Sequence, residues 1–322
     1  MVLAFVECLW LLGCAPTEQS YQIVPENPPE PAIEPESTPE VTVTDDRFLR
    51  LAAAAFWMGS PLDEEGRSQD EDLHEVIITR DFMVLKTEVT QEMFLDVMGY
   101  NPAWFSDCGL TCPVENVSWS QAADYCNTLS ISEDKEECYE CIGEGEDIEC
   151  RERSDLLIPP NRIQDCRGYR LLTEAEWEYA ARGGSASAIW TPLGGGEIPA
   201  GQDHNCESEL TLSDGTPLVD LAWYCANADA QTHPVAEKLP NDFGLYDIRG
   251  NVWEWVNDRY GFYSDYDYNE DPTGSSLGDH RILRGGRWGN EPYALRAAKR
   301  IHLSPDYKDG NFGFRIAMTV ME

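Results

Sequence analysis

The stretch Phe243–Trp255, which reads FGLYDIRGNVWEW, constrains the fold more than any other part of the chain. Its Gly-Asn pair favours a turn, and the carboxylates of Asp247 and Glu254 flank that turn. Aromatic residues on both sides predict that the back of the turn is buried in a core. A turn that presents carbonyl oxygens between two carboxylates would form an oxygen-rich pocket suited to calcium. Alternatively, the two carboxylates only cap the turn and pair with Arg249 or Arg259.

Three segments of the chain predict α-helices from their capping residues. Thr90 and Ser118 each precede a segment whose apolar residues recur at helical spacing, so each is expected to cap a helix. Thr173 followed by Glu176 forms a capping-box pattern, and Gly183 is expected to end that third helix.

Three further motifs accompany the central stretch. They are RLLTEAEWEYAARGG at Arg170–Gly184, RGGRW at Arg284–Trp288 and GFRIA at Gly313–Ala317. In this order they resemble the formylglycine-generating enzyme, or sulfatase-modifying factor, family, over roughly Phe48 to Val320. The resemblance implies an α+β fold, C-type-lectin-like and mixed, with low regular secondary structure. We therefore expect one such domain over residues 48–322.

The resemblance also implies positions for a metal ion and for a ligand groove. Calcium would be held by the side chains of Asp247 and Glu254 and by the carbonyl oxygens of Gly250 and Val252. The groove in which the family's oxidases bind peptide would be bordered by four residues, Arg284, Trp288, Asn290 and Arg300. For Arg284 and Arg315 we favour the alternative, in which an arginine beside aromatic residues stacks and pairs in the core.

The family's oxidase activity is not expected here. Those oxidases bind copper with two cysteines after the RGG turn, because thiolates are soft ligands for Cu(I). In this chain Asn290 and Pro292 or Ala294 stand near those positions, and no cysteine follows Cys225. The five histidines are scattered and predict no iron site. We expect a protein that binds a peptide, a glycan or an envelope protein. A divergent metal-dependent oxidase or hydroxylase and a passive envelope spacer are the alternatives.

The cysteines predict a disulfide framework. Setting aside Cys8 and Cys14 leaves an odd number, which in an exported protein favours disulfides and one free thiol, assigned to a buried Cys126. Bridges are expected from Cys108 to Cys112 and from Cys206 to Cys225, and two more, of open pairing, among Cys138, Cys141, Cys150 and Cys166. Zinc held by those last four is the alternative. They lie in or beside an acidic insertion, about residues 131–166, which is expected to be a solvated excursion held by covalent links.

The start of the chain predicts export. Residues 1–14 are apolar and end in LLGC, which resembles a bacterial lipoprotein signal with Cys14 as the lipidated residue. Glu7 interrupts the apolar run and no Lys or Arg precedes it, so an ordinary buried Cys14 in a cytoplasmic start is the alternative. Residues 15–47 are rich in proline and acids, which predicts an extended tether. We expect a lipoprotein of the bacterial cell envelope, most consistent with the outer membrane.

The net charge of −36 limits the kinds of molecule that the protein can bind. Nine acidic residues and no Lys or Arg precede Arg47, and the rest of the chain is also strongly acidic. Phosphate-rich partners, such as nucleic acid or an anionic membrane surface, would be repelled. Divalent cations and basic partners stay compatible with this charge.

Overall fold

A computed structural model describes residues 46–158, 162–201, 205–265 and 268–321. The predicted signal at 1–14, with Cys14, and the tether at 15–47 up to its last two residues lie outside the described residues. Across the described ranges, no helix combines the length and the apolar character needed to cross a bilayer.

The three predicted helices are confirmed together with their caps. They are α1 (Gln91–Met98), α2 (Trp119–Ser132) and α3 (Glu174–Arg182). Thr90, Ser118 and Thr173 each accept a hydrogen bond from the backbone N–H three residues on, and the last two form full capping boxes. Gly183 ends α3 in the left-handed conformation. Local cap chemistry therefore fixes where each helix begins.

The strands are short. In chain order they are β1 (Phe48–Leu51), β2 (Ala54–Met58), β3 (His74–Ile78), β4 (Phe82–Leu85), β5 (Tyr139–Ile142), β6 (Glu149–Glu152), β7 (Arg170–Leu171), β8 (Trp253–Arg259), β9 (Arg281–Arg284), β10 (Ile301–Leu303), β11 (Phe312–Phe314) and β12 (Ile316–Thr319). One four-stranded sheet has the order β1-β4-β12-β7 and a second has the order β10-β9-β8-β11. Strands β2 with β3 and β5 with β6 form separate two-stranded sheets. This mixture of helices and mainly antiparallel sheets confirms the α+β class.

The central stretch lies where two apolar cores meet. Trp253 and Trp255 of β8 pack in a core around α2, whereas Ile248 and Val256 pack in a second core with Trp177 of α3. All five side chains are at most 4% exposed. The prediction that the back of the turn is buried is therefore confirmed.

The acidic insertion differs from the prediction, because its base is part of the main core. Tyr139 is 2% exposed, and its hydroxyl donates to Asn257 (3.1 Å) and accepts from the Leu171 N–H (3.0 Å). Glu152 of β6 is buried and paired with Arg281. Only the outer part of the hairpin is solvated, because an aromatic residue and an ion pair anchor its two strands to the domain.

The predicted disulfides and the buried free thiol of Cys126 are confirmed. The structure also settles the open pairing, with four bridges among the residues it describes: Cys108–Cys112, Cys138–Cys166, Cys141–Cys150 and Cys206–Cys225. The zinc alternative is therefore wrong, because the four cysteines that would bind the ion all form disulfides. The Cys141–Cys150 bridge joins β5 to β6 at directly paired positions.

Candidate functional site

The central turn has a left-handed backbone at Asp247 (φ 52°), Gly250 (φ 79°) and Asn251 (φ 54°). Asp, Asn and Gly are the residues that adopt positive φ most readily, which accounts for the sequence of the turn. Gly250 is required for a second reason, because a Cβ there would lie 2.1 Å from the carbonyl oxygen of Trp223. The turn is thereby held tightly against a neighbouring loop.

Three buried carboxylates converge on this turn, and we call them the carboxylate cluster: Glu88, Asp247 and Glu254. Each is at most 3% exposed. Glu254 accepts hydrogen bonds on both oxygens, from Arg315 Nη2 (2.9 Å) and from Trp177 Nε1 (2.8 Å). Glu88 also uses both oxygens, accepting from the N–H of Val252 and from the side-chain amide of Asn251.

Asp247 is the member of the cluster with a carboxylate oxygen that accepts no hydrogen bond among the described residues. Its Oδ2 accepts from the N–H of Ala236 (2.6 Å), whereas its Oδ1 is buried and has no hydrogen-bond partner among the described residues. Burial raises the pKa of Asp247 to about 6, and the negative charge of Glu254 adds to that rise while Arg315 opposes it. Burial also raises the pKa of Glu88, with further contributions from Asp247 and Glu254.

The expected calcium ligands fit this geometry in part. A buried, unpartnered carboxylate oxygen on Asp247 suits a bound cation, because a buried polar atom normally has a partner. Glu254 is less available, since both of its oxygens already accept hydrogen bonds. Among the described residues, no three or more His, Cys, Asp or Glu side chains are grouped so as to hold a metal. Carbonyl oxygens such as those of Gly250 and Val252 would therefore have to complete the coordination.

The alternative pairing of the two carboxylates with Arg249 or Arg259 is not what the structure shows. Arg249 donates to the carbonyl oxygen of Ala181 at the end of α3 (2.7 Å), and the guanidinium of Arg259 lies 3.6 Å from Glu152. The partner of Glu254 is Arg315, which comes from the GFRIA motif.

Two of the four expected groove residues point into the interior. Arg284 is 0% exposed and donates to Glu178 and to the carbonyl oxygens of residues 297 and 298. The Arg300 side chain, also 0% exposed, donates to both oxygens of Glu174. The two glutamates lie one turn apart on α3 and draw both guanidinium groups inward. These two arginines therefore do not face an open groove, and the core interpretation of Arg284 and Arg315 is confirmed.

The other two expected groove residues, Trp288 and Asn290, are half-buried at the surface. The ring of Trp288 packs edge-to-face on Phe105, with the centroids 5.6 Å apart, and its Nε1 donates to the carbonyl oxygen of Gly310 (3.1 Å). Asn290 closes the turn, since its Oδ1 accepts from the N–H of Arg287 (3.1 Å). The guanidinium of Arg287 lies 4.9 Å from the centre of the Trp288 ring.

Together with Trp104, these groups form one surface, which we call the aromatic face: Trp104, Phe105, Arg287 and Trp288. Trp104 is 74% exposed. The face is continuous because Gly310 lies against both Trp104 and Phe105 and also accepts the hydrogen bond from Trp288. A Cβ at Gly310 would lie 3.2 Å from atoms of Trp104 and of Phe105.

The buried side chain of Glu115 fixes the backbone of the loop that presents Trp104. Its two carboxylate oxygens accept from the backbone N–H groups of Trp104 (3.0 Å) and Phe105 (2.7 Å), and the Cys108–Cys112 bridge closes the same loop. Burial raises the pKa of Glu115 to about 7, and the charge of Asp309 adds to that rise. Sequence reasoning missed Glu115 and Trp104. The only signal available was an adjacent aromatic pair in a loop.

Comparison with known proteins agrees with this architecture. The model of the sulfatase-modifying factor enzyme 1-like domain matches residues 34–320, starting inside the predicted tether. The chaperone protein LppX of Paenibacillus barcinonensis is 35% identical over 251 residues, which are 77% of this chain and 80% of that protein. The formylglycine-generating enzyme of Streptomyces coelicolor is 39% identical over 157 residues, but these are 47% of this chain and only 46% of the enzyme.

Solved structures show the same fold. Treponema denticola variable protein 1 superposes with a TM-score of 0.65 at 31% identity, covering 86% of this chain and 97% of that one. PvdO from Pseudomonas aeruginosa superposes with a TM-score of 0.64 at 23% identity, covering 88% of this chain and all of that one (100%), and shows the fold alone. Because the family model matches most of its length, this chain belongs to the sulfatase-modifying factor (formylglycine-generating enzyme) family.

Proposed function

We propose that this chain is an envelope-anchored, non-oxidase member of the family that binds an extended polypeptide segment at its aromatic face. The observation that carries the proposal is Trp104, a large apolar side chain that is 74% exposed on a loop fixed by a disulfide and a buried carboxylate. Exposed tryptophan and arginine side chains on a rigid surface are typical of the residues that dominate binding energy.

The charge around the aromatic face favours a basic partner. Asp107 lies two residues after Phe105, and Glu291 follows the Trp288 turn; both are exposed. Asp309 lies close enough to Arg287 to oppose the effect of burial, which lowers the pKa of that guanidinium. The occupant that fits is a segment with apolar side chains for the aromatic rings and Lys or Arg for the acidic rim. One relative is a chaperone protein, which supports a polypeptide as the ligand rather than a glycan.

The residue types at the RGG turn support binding without oxidation. The turn after Arg284 presents Asn290, Pro292 and Ala294 where the family's copper thiolates are expected. None of these side chains is a soft ligand for Cu(I).

Export and anchoring are part of the proposal. Four disulfides in one domain are typical of a protein that folds in an oxidising compartment. Lipidation at Cys14 and a tether over residues 15–47 would hold the domain away from a bacterial envelope membrane, with the outer membrane as the expected location.

A structural calcium ion at the central turn completes the proposal. Asp247 would hold it with the carbonyl oxygens of Gly250 and Val252, and Glu254 would join only by releasing a hydrogen bond. The ion would offset the buried negative charge of the carboxylate cluster and fasten the turn between the two cores.

Binding can be tested with fluorescein-labelled peptides of mixed aromatic and lysine content, measured by fluorescence anisotropy. Trp104→Ala should weaken the affinity by about thirtyfold, as expected when a contact residue worth about 2 kcal/mol is lost. Trp57→Ala is the matched control, because Trp57 is 42% exposed on the separate β2–β3 sheet. Equal affinity of the wild type and the Trp104 variant, or a loss confined to the Trp57 variant, would contradict the proposal. A peptide with glutamate in place of lysine should not bind.

A further inference from the structure

Two histidines face each other on a surface that belongs neither to the aromatic face nor to the carboxylate cluster. His280 directly precedes β9, and His302 lies in β10, which pairs with β9. Their Nδ1 atoms are 2.8 Å apart. His280 is exposed and His302 is half-buried.

Neighbouring groups hold the His302 ring and the backbone of His280 in place. The ring of Tyr260 stacks on His302, with the centroids 3.7 Å apart, and the N–H of Tyr260 donates to the carbonyl oxygen of His280 (2.9 Å). The Tyr260 hydroxyl in turn donates to Asp70 (3.1 Å). One tyrosine therefore supports both histidines, and a carboxylate fixes the tyrosine.

We propose that His280 and His302 form a two-histidine site for one transition-metal ion of the kind that imidazole suits, Zn²⁺ or Cu²⁺. Two nitrogens that each lie about 2.0–2.1 Å from a tetrahedral metal are roughly 3.3 Å apart. The observed 2.8 Å therefore requires an opening of about 0.5 Å, which an exposed His280 side chain can make. No third His, Cys, Asp or Glu side chain completes a metal cluster among the described residues, so the remaining positions stay open to water or to a donor from a bound partner.

This site is independent of the proposed polypeptide binding. It uses different residues, and imidazole nitrogens select different metals from the oxygen atoms around Asp247.

Titration calorimetry of the full chain with ZnCl₂, and separately with CuCl₂, tests the site in buffer that contains calcium to fill oxygen-rich positions. The wild type should show one tight site. His280→Ala and His302→Ala should each weaken it about tenfold or more. His74→Ala is the matched control, because that histidine lies on β3 beside Tyr263 and should leave the affinity unchanged. Equal affinities in all three variants would overturn the proposal.

A second measurement does not depend on the variants. Electron paramagnetic resonance of the wild type with one equivalent of Cu²⁺ should show hyperfine coupling from two imidazole nitrogens. A spectrum with fewer than two coupled nitrogens would overturn the assignment even if a variant failed to fold.

Discussion

Replacing Asp247 by Asn should stabilise the protein without calcium and abolish its response to calcium. Burial raises the pKa of Asp247 from 3.8 to about 6, so the folded state holds this proton more tightly than the unfolded chain does. The stability that the proton confers is complete below the unfolded pKa and is lost as the pH rises through about 6. A difference of about two pKa units corresponds to roughly 3 kcal/mol at pH 8.

The assay is thermal unfolding at pH 8, with and without a chelator. In chelator, Asp247→Asn should melt higher than the wild type, by about 6–12 °C for roughly 3 kcal/mol in a domain of this size. At pH 3.5 the two proteins should have nearly equal stability, because the carboxyl is then mostly protonated in both states. Calcium at about 100 times its Kd should stabilise the wild type by about 2.7 kcal/mol. It should not change the melting temperature of the variant.

The matched control is Asp242→Asn, which removes an exposed carboxylate from the loop just before the same stretch. It should change neither the melting temperature in chelator nor the response to calcium. If chelated wild type is as stable as Asp247→Asn at pH 8, the buried charge does not carry the cost assigned to it. If calcium leaves the wild-type melting curve unmoved, the calcium site is refuted.

Two further variants test the supports of the fold and of the aromatic face by urea denaturation. Arg284→Met leaves the buried Glu178 without one of its cations and should lower the free energy of unfolding by about 3–5 kcal/mol. Its control, Arg50→Met, breaks a surface pair with Asp81 and should lower the free energy of unfolding by less than about 1 kcal/mol. Equal losses would contradict the buried network. Glu115→Ala removes the acceptor of two N–H groups, so it should lower the free energy of unfolding by about 1–3 kcal/mol and weaken peptide binding. Its control, Glu92→Ala, replaces an exposed glutamate in α1 and should change neither stability nor binding. Unchanged binding in the Glu115 variant would show that the carboxylate does not position Trp104.

Local chemistry accounts for what the sequence could predict. Thr90, Ser118 and Thr173 cap helices through atoms only three residues away, so the pattern is readable in a short window. The pairing of Cys108 with Cys112 is similarly local. The family motifs then supplied the fold, because they recur in order along the chain.

Partners that are distant in sequence account for what could not be predicted. Glu88 and Asp247 meet only after the sheets assemble, so no local pattern places Glu88 in the carboxylate cluster. The residues next to an arginine in the sequence do not show whether its side chain faces a groove or a pair of glutamates. Arg284 and Arg300 point inward because Glu174 and Glu178 share the inner face of α3. The insertion was mistaken for a wholly solvated loop because its acids outnumber Tyr139, the residue that anchors it.

Hydrogen exchange of the peptide-bound and free protein tests most directly whether the aromatic face is the binding surface. The account predicts that a saturating lysine- and aromatic-rich peptide slows exchange at residues 103–110, 287–291 and 308–311 and leaves the β2–β3 sheet unchanged. Slowed exchange confined to other segments, with none around Trp104 and Trp288, would contradict it.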